Sequence, residues 1–277
     1  DFQDQPVMLS RLFGPDGLRS PGARVSYLAP TPTYLEFYLG AQNANGETLE
    51  SFRANDEVYE ERGIGGRFLD EDARQRLGLG DLMWQGRIAT AMDFDAANTL
   101  AGGVSALFGP NATGPNADTT ILGADVMYRW RPVDNRRGYP FFKVQAEFLA
   151  RRFDAAQQQD TSDPLNPIDL PSTTLRDYGA YLYVVYGFAV GWAVGLRGEF
   201  ATGSGASYLG GGDFARADDP FRSNRTRISP MLSYQTSEYS RLRLQYNYDR
   251  SDHLDDPVHS VWLGFEILMG PHPPHAY

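Results

Sequence analysis

The chain has 277 residues, with 35 acidic against 25 basic side chains and a formal net charge of −10. A mean hydropathy of −0.43 and the lack of any run of about 18 apolar residues exclude a helical membrane protein, and a pI near 4.9 argues against nucleic acid. Aromatic content of 13% and 29 glycines stand high beside a usual glycine share of about 7%, and the absence of cysteine suits an oxidising envelope compartment.

From the start, Asp1 to Ser20 offers no convincing strand, and nothing at Asp1 reads as a signal peptide. Weak alternation begins at Ala23 to Ala29 and Leu35 to Ala41. It is clear at Trp84 to Phe94, where Trp84, Gly86, Ile88, Thr90 and Met92 oppose Gln85, Arg87, Ala89, Ala91 and Asp93. Gly102 to Phe108 is weaker. Leu122 to Trp130, Phe142 to Leu149, Asp177 to Tyr186 and Trp192 to Phe200 repeat the pattern. Then Ile228, Pro230, Leu232 and Tyr234 oppose Arg227, Ser229, Met231, Ser233 and Gln235. After a turn at Thr236 to Ser240, Leu242, Leu244, Tyr246 and Tyr248 oppose Arg241, Arg243, Gln245, Asn247 and Asp249. Val261 to Met269 closes the series. Period 2 over about ten residues, with aromatic residues capping the apolar faces, is the pattern of a transmembrane β-barrel. The expected fold is all-β, an antiparallel barrel with about eleven or twelve strands in this chain.

Connections set an orientation. Short ones at Asp95 to Asn98, Gly187 to Gly191 and Ser237 to Ser240 alternate with long ones at Asn43 to Gly80, Pro110 to Thr119, Asp154 to Thr174 and Ser204 to Asn224. Outer-membrane barrels put short turns in the periplasm and long loops outside, which places Tyr277 at the periplasmic side. Residues 44–80 form the longest loop, where Phe68, Leu69, Ala73 and Leu77 fall at helical spacing, with Asp70 a candidate cap and Gly78 a candidate stop. Such a helix either narrows the mouth or packs on the surface. An even strand total, 12 to 16, is the bacterial rule. Eleven recognisable strands therefore suggest that part of the barrel lies N-terminal to Asp1, rather than that the opening segment pairs irregularly.

The polar face gathers the charge. Arg24, Arg87, Arg129, Lys143, Arg151, Arg197, Arg227, Arg241 and Arg243 are expected inside, with Glu36, Asp93, Asp125, Glu147, Asp177, Glu199, Asp249 and Glu266. Nine against eight is nearly balanced, so the net acidity belongs to loops, turns and tail. This lining is either hydrated or closed by ion pairs, since unpaired charge is costly to bury. Arg227, Arg241 and Arg243 form either a positive ladder at an anion-attracting constriction or partners for Asp249, Glu266 and Glu199.

Other motifs carry less. Asp249, Asp252, Asp255, Asp256 and His253, and separately Asp213, Asp218 and Asp219, lack the spacing of a calcium loop and read as solvated charge. His272 and His275 are two ligands where a metal site needs more, on a tail held extended by Pro271, Pro273 and Pro274. His259 and Ser260 are adjacent on a strand and point apart, G-S-G-A-S at Gly203 to Ser207 is not a nucleophile elbow, and no cofactor motif occurs. An enzyme is not expected.

Three segments resemble an uncharacterised porin-like family of bacterial outer-membrane barrels: Asp1 to Leu28 with D-F-Q-D-Q-P at its start, T-S-E-Y-S-R-L-R-L-Q-Y-N at Thr236 to Asn247, and the tail G-P-H-P-P-H-A-Y at Gly270 to Tyr277. The pattern G-x-D-x-x-Y-R-W-x-P at Gly123 to Pro132 fits as well, and a looser similarity runs to the phosphate-selective porins. The tail departs from the family's G-A-H-x-A-H-x-F in its prolines and final tyrosine. The resemblance implies an outer-membrane barrel in which the D-F-x-D-Q-P stretch is internal. It names no substrate. The expected function is passive passage of small polar or charged solutes through a barrel set in outer-membrane lipid and lipopolysaccharide. The alternative is a non-conducting scaffold for a periplasmic or surface protein. An energised receptor would need a plug domain and a coupling box, neither of which the sequence offers.

Overall fold

The computed structural model describes residues 2–54, 63–70, 78–237 and 239–269. Among them a seven-residue helix, α1 (Val7–Phe13), precedes β1 (Gly22–Leu28), β2 (Tyr34–Asn43), β3 (Leu82–Asp93), β4 (Asn98–Pro110), β5 (Asp118–Trp130) and β6 (Phe141–Ala155). Then come β7 (Gln158–Asp160), β8 (Ile168–Leu170), β9 (Thr173–Ala189), β10 (Trp192–Ser204), β11 (Arg225–Ser237), β12 (Ser240–Ser251) and β13 (Val258–Ile267). All but β7 and β8 form one eleven-stranded antiparallel sheet whose order follows the chain, while β7 and β8 make a separate hairpin. Most of these strands exceed the roughly 9–11 residues that a tilted strand needs to cross a bilayer.

Eleven strands of alternating direction leave the edges β1 and β13 running the same way, and among the described residues no ladder joins them. Closure of the wall in the antiparallel sense therefore calls for an odd number of strands between β13 and β1.

The alternation anticipated from sequence is the observed one. Val104, Leu122, Leu182, Leu196, Phe200, Ile228, Leu244 and Leu263 are exposed on the outer face. Trp192 stacks on Tyr234 at 4.4 Å, and Tyr128 meets Phe142 edge-on at 6.5 Å, near the short-turn end. Trp84 pairs with Phe108 towards the other end. Such rings flank the apolar band as a barrel's aromatic girdles do. Connections at 29–33, 94–97, 131–140 and 190–191 share one end, the ten residues of 131–140 being longer than expected there; 44–81, 111–117, 156–172, 205–224 and 252–257 share the other. The 190–191 turn is tighter than expected because β9 runs on to Ala189, where Gly191 takes the left-handed φ of 82° that the reversal demands.

The opening segment, where the sequence offers no convincing strand, carries none and lies inside the curl of the sheet. Pro6, at φ −57°, leads into α1, and Gly14, at φ 69°, ends it. Val7, Met8 and Leu12 are buried with Leu49, Phe52, Met83, Ile121, Leu149 and Ala201, which come from β3, β5, β6, β10 and the 44–81 connection. A sheet whose distant strands meet on one short helix is strongly curved around it. Gly264 faces Gln3 so closely that an added Cβ would meet its carboxamide at 2.5 Å, and one at Gly195 would meet the Phe2 ring at 3.4 Å. The wall thus thins where the segment comes nearest. The helix expected over Asp70 to Leu77 falls largely on residues 71–77, outside the described residues, as do His272 and His275.

Candidate functional site on the inner face

Asp4 is the centre of the inner network. β10 delivers Arg197 to it, with Nη2 donating to Oδ1 at 2.6 Å and Nη1 to the Asp4 carbonyl at 3.0 Å. From β11, Arg227 donates to Oδ2 at 2.7 Å. From β12, Gln245 and Asn247 donate carboxamide N–H groups at 2.5 and 3.0 Å. Four side chains on three neighbouring strands therefore hold one carboxylate. The wall itself supplies Arg197, Arg225 and Arg227 against Glu199 and Asp249. That leaves one positive charge, which Asp4 neutralises. Glu199 also accepts the Val7 backbone N–H at 2.5 Å, fastening the start of α1.

One turn further, Arg11 enters a second cluster. Asp177 of β9 is fully buried and accepts from Arg151 at 2.7 Å and Arg222 at 3.2 Å, with Arg11 at 3.9 Å. Further guanidinium donors reach carbonyls and a hydroxyl: Arg11 to Ser223, Arg222 to Ser204 and Gly205, Arg151 to the Arg11 carbonyl and Ser51 Oγ. Multiple charge-assisted bonds make burial of three arginines tolerable.

Beside Asp4 is an aromatic seat. The Phe2 ring lies 5.5 Å from the Tyr183 ring and 4.7 Å from the Arg197 guanidinium. Tyr181, Val185, Ala193 and Met231 complete the apolar surroundings. Tyr183 donates to Gln145 at 2.6 Å, and Lys143 sits 5.4 Å over the same ring.

The remaining expected residues occupy the same face. Arg241 and Arg243 both bind Glu266, at 2.7 and 3.0 Å, so the proposed ladder is paired through one carboxylate. Arg227 reaches Asp249 at 2.7 Å. Arg87 grips Asp125 in bidentate fashion at 2.6 and 3.0 Å, about a third exposed, away from the opening segment. Glu147 stands between Asp125 and Tyr181 in the ladder. Arg129 lies opposite Lys143, and Asp93, at the turn end of β3, accepts from Thr99 at 2.6 Å. Arg24 stacks on Tyr38 at 5.1 Å.

Sequence reading missed Phe2, Asp4 and Arg11, because a segment that follows neither period gives no signal of where it lies. It also missed Arg222 and Arg225, which sit just at the end of a loop. Gln245 and Asn247 were placed on the polar face without a role. Among the described residues, no group of three metal-capable side chains gathers.

No family model matches the chain. It is similar to an uncharacterised protein of Aquifex aeolicus (strain VF5), 26% identical over 98% of this chain and 54% of that protein, so the chain spans about half the length of its curated relative. Two solved structures are similar. The crystal structure of the Pseudomonas putida toluene transporter TodX shares 12% identity at a TM-score of 0.36, over 90% of this chain and 73% of that one. The TodX deltaS2S3 mutant, a monoaromatic hydrocarbon channel, shares 13% at 0.32, over 83% and 67%.

Proposed function

We propose that the chain builds the wall of an outer-membrane β-barrel channel for small polar or charged solutes, with the Phe2–Phe13 segment filling the β6–β13 side of its interior. The two-faced wall carries this reading: an apolar band with aromatic ends outside, and arginines and carboxylates inside. Only a lipid surround outside and a polar interior satisfy both faces. The less covered side, along Arg24, Glu36, Arg87 and Asp125, is the route for solute, and the long connections face outward from the cell.

A scaffold that does not conduct is favoured by one observation, the dense ion pairing around Asp4 and Asp177. Planar-bilayer recording separates the two. The channel reading expects steps of current from the purified chain, enlarged when Asp4→Asn loosens the segment. Silence from wild type and variant alike, with the barrel shown folded, overturns it in favour of the scaffold.

A further inference from the structure

Phe2 and Asp4 are two residues apart, and both are bound through Arg197. The ring lies against one face of its guanidinium at 4.7 Å, while the carboxylate takes its N–H groups. Every receptor group at this place belongs to the wall, and three of the four that grip the carboxylate are buried: Arg197 is 1% exposed, Gln245 0% and Asn247 3%, with Arg227 half-buried beside them. With residues 2–4 withdrawn, the wall would present a flat cation over an open aromatic seat and one uncompensated positive charge. That is a receptor for a ring and an anion on one small molecule.

We propose that this site binds monoanionic aryl carboxylates and that residues 2–4 are its built-in competitor. The inference rests on the channel reading and deepens it by naming a solute class. The solute's carboxylate takes the place of Asp4 on Arg197, Arg227, Gln245 and Asn247. Its ring takes the place of Phe2 over Gly195, beside Tyr183. Each half adds selectivity. A neutral amide leaves the positive charge unmatched and guanidinium donors unused. A carboxylate without a ring forgoes the stacking and cation–π contact. Asp4 and Phe2 are tethered, so they compete at the millimolar-scale effective concentration of a short linker, and the wild-type chain binds only in the fraction of time that its own segment is out.

The probes are 3-phenylpropanoate, its neutral amide and propanoate, titrated calorimetrically into the full chain in detergent. Phe2→Ala/Asp4→Asn removes the competitor and leaves the wall unchanged. It is expected to bind 3-phenylpropanoate at least tenfold more tightly than wild type, and at least tenfold more tightly than it binds either the amide or propanoate. Adding Arg197→Gln to that pair should abolish the gain. If the double variant does not fold, Phe2→Ala alone is measured, and it should gain affinity for 3-phenylpropanoate over wild type while keeping the preference for the acid over its amide. Equal binding by wild type and variant, or equal binding of acid and amide, overturns the proposal. Because the readout is binding, it is separable from conduction. Current without selective binding keeps the channel and sinks the site, whereas binding without current keeps the site and sinks the channel.

Discussion

Asp177→Asn tests whether the inner network is a dry, committed structure. The carboxylate is wholly buried and stands among Arg151, Arg222 and Arg11, whose side chains are at most 4% exposed. The amide keeps the shape but removes the charge. Breaking a buried pair from one side costs about 3–5 kcal/mol, because the stranded charge remains desolvated. Here three guanidinium groups share the anion, which argues for the upper part of that range. Their carbonyl partners and the nearby Asp219 keep the cost from multiplying by three. Arg151 is the most exposed to the loss, since among the described residues Ser51 Oγ and the Arg11 carbonyl are the hydrogen-bond partners that remain to it. Reversible urea unfolding of the folded chain in lipid vesicles, followed by tryptophan fluorescence, gives the difference. Combining the change with Arg151→Gln should recover part of the loss as a coupling energy. A deficit under about 1 kcal/mol would mean that the cluster behaves like a hydrated surface pair, and the view of a water-poor interior beside α1 would fall.

Three further outcomes follow from named contacts. Leu244→Arg places a charge on the lipid-facing wall and should cost about 2–4 kcal/mol in the same unfolding assay, whereas Ser233→Arg on the inner face should cost well under that. Replacing Arg241 and Arg243 together by serine leaves Glu266 alone on the inner face, so reversal potentials under a salt gradient should move towards cation preference with folding intact. In the long connections, hydrogen bonds from Ser162 and Tyr208 hold the Asp160 carboxyl below its usual range. Its contribution is therefore present above an unfolded value of about 4 and is lost as pH falls through the folded one. Asp160→Asn should raise hydrogen exchange around Tyr208 at pH 7, and the difference from wild type should shrink as pH falls below about 4.

Strand existence and facing were legible because each apolar band must meet one environment along its whole length. A slip by one residue at Arg241 or Arg243 would put a guanidinium where Leu242 or Leu244 now lies. Strand ends were less so. β6 and β9 continue past the apolar band to Ala155 and back from Thr173 with polar residues, so the alternation of hydrophobicity stops before the ladder does. The same reason hid the β7–β8 hairpin, whose three-residue strands are too short to show a period. Least legible was the pairing inside. Polar-face alternation states that Arg197, Arg227, Gln245 and Asn247 point inward, but it cannot state that they converge, since convergence comes from curvature and from the register of β10, β11 and β12.

That convergence also explains why the opening segment is held by charges more than by apolar contact below α1. An inner face lined with charged side chains has less apolar surface to offer there, and a purely hydrophobic plug would need an apolar lining in their place. Ion pairs and amide hydrogen bonds avoid the conflict, because each group that grips Asp4 is one that another anion can use, and each bond broken on withdrawal can be remade with solute or water. The cluster under α1 and the Phe2 seat are the exceptions, and the seat adjoins the carboxylate site. Around Arg11 the arrangement differs: Asp177 belongs to the wall, and three guanidinium groups gather on it under loop carbonyls. The Asp4 end therefore has the chemistry of exchange and the Arg11 end that of an anchor. Release of the segment should begin at Phe2 and Asp4 while α1 stays in place, a sequence that Asp4→Asn and Asp177→Asn distinguish by altering current in the first case and stability in the second.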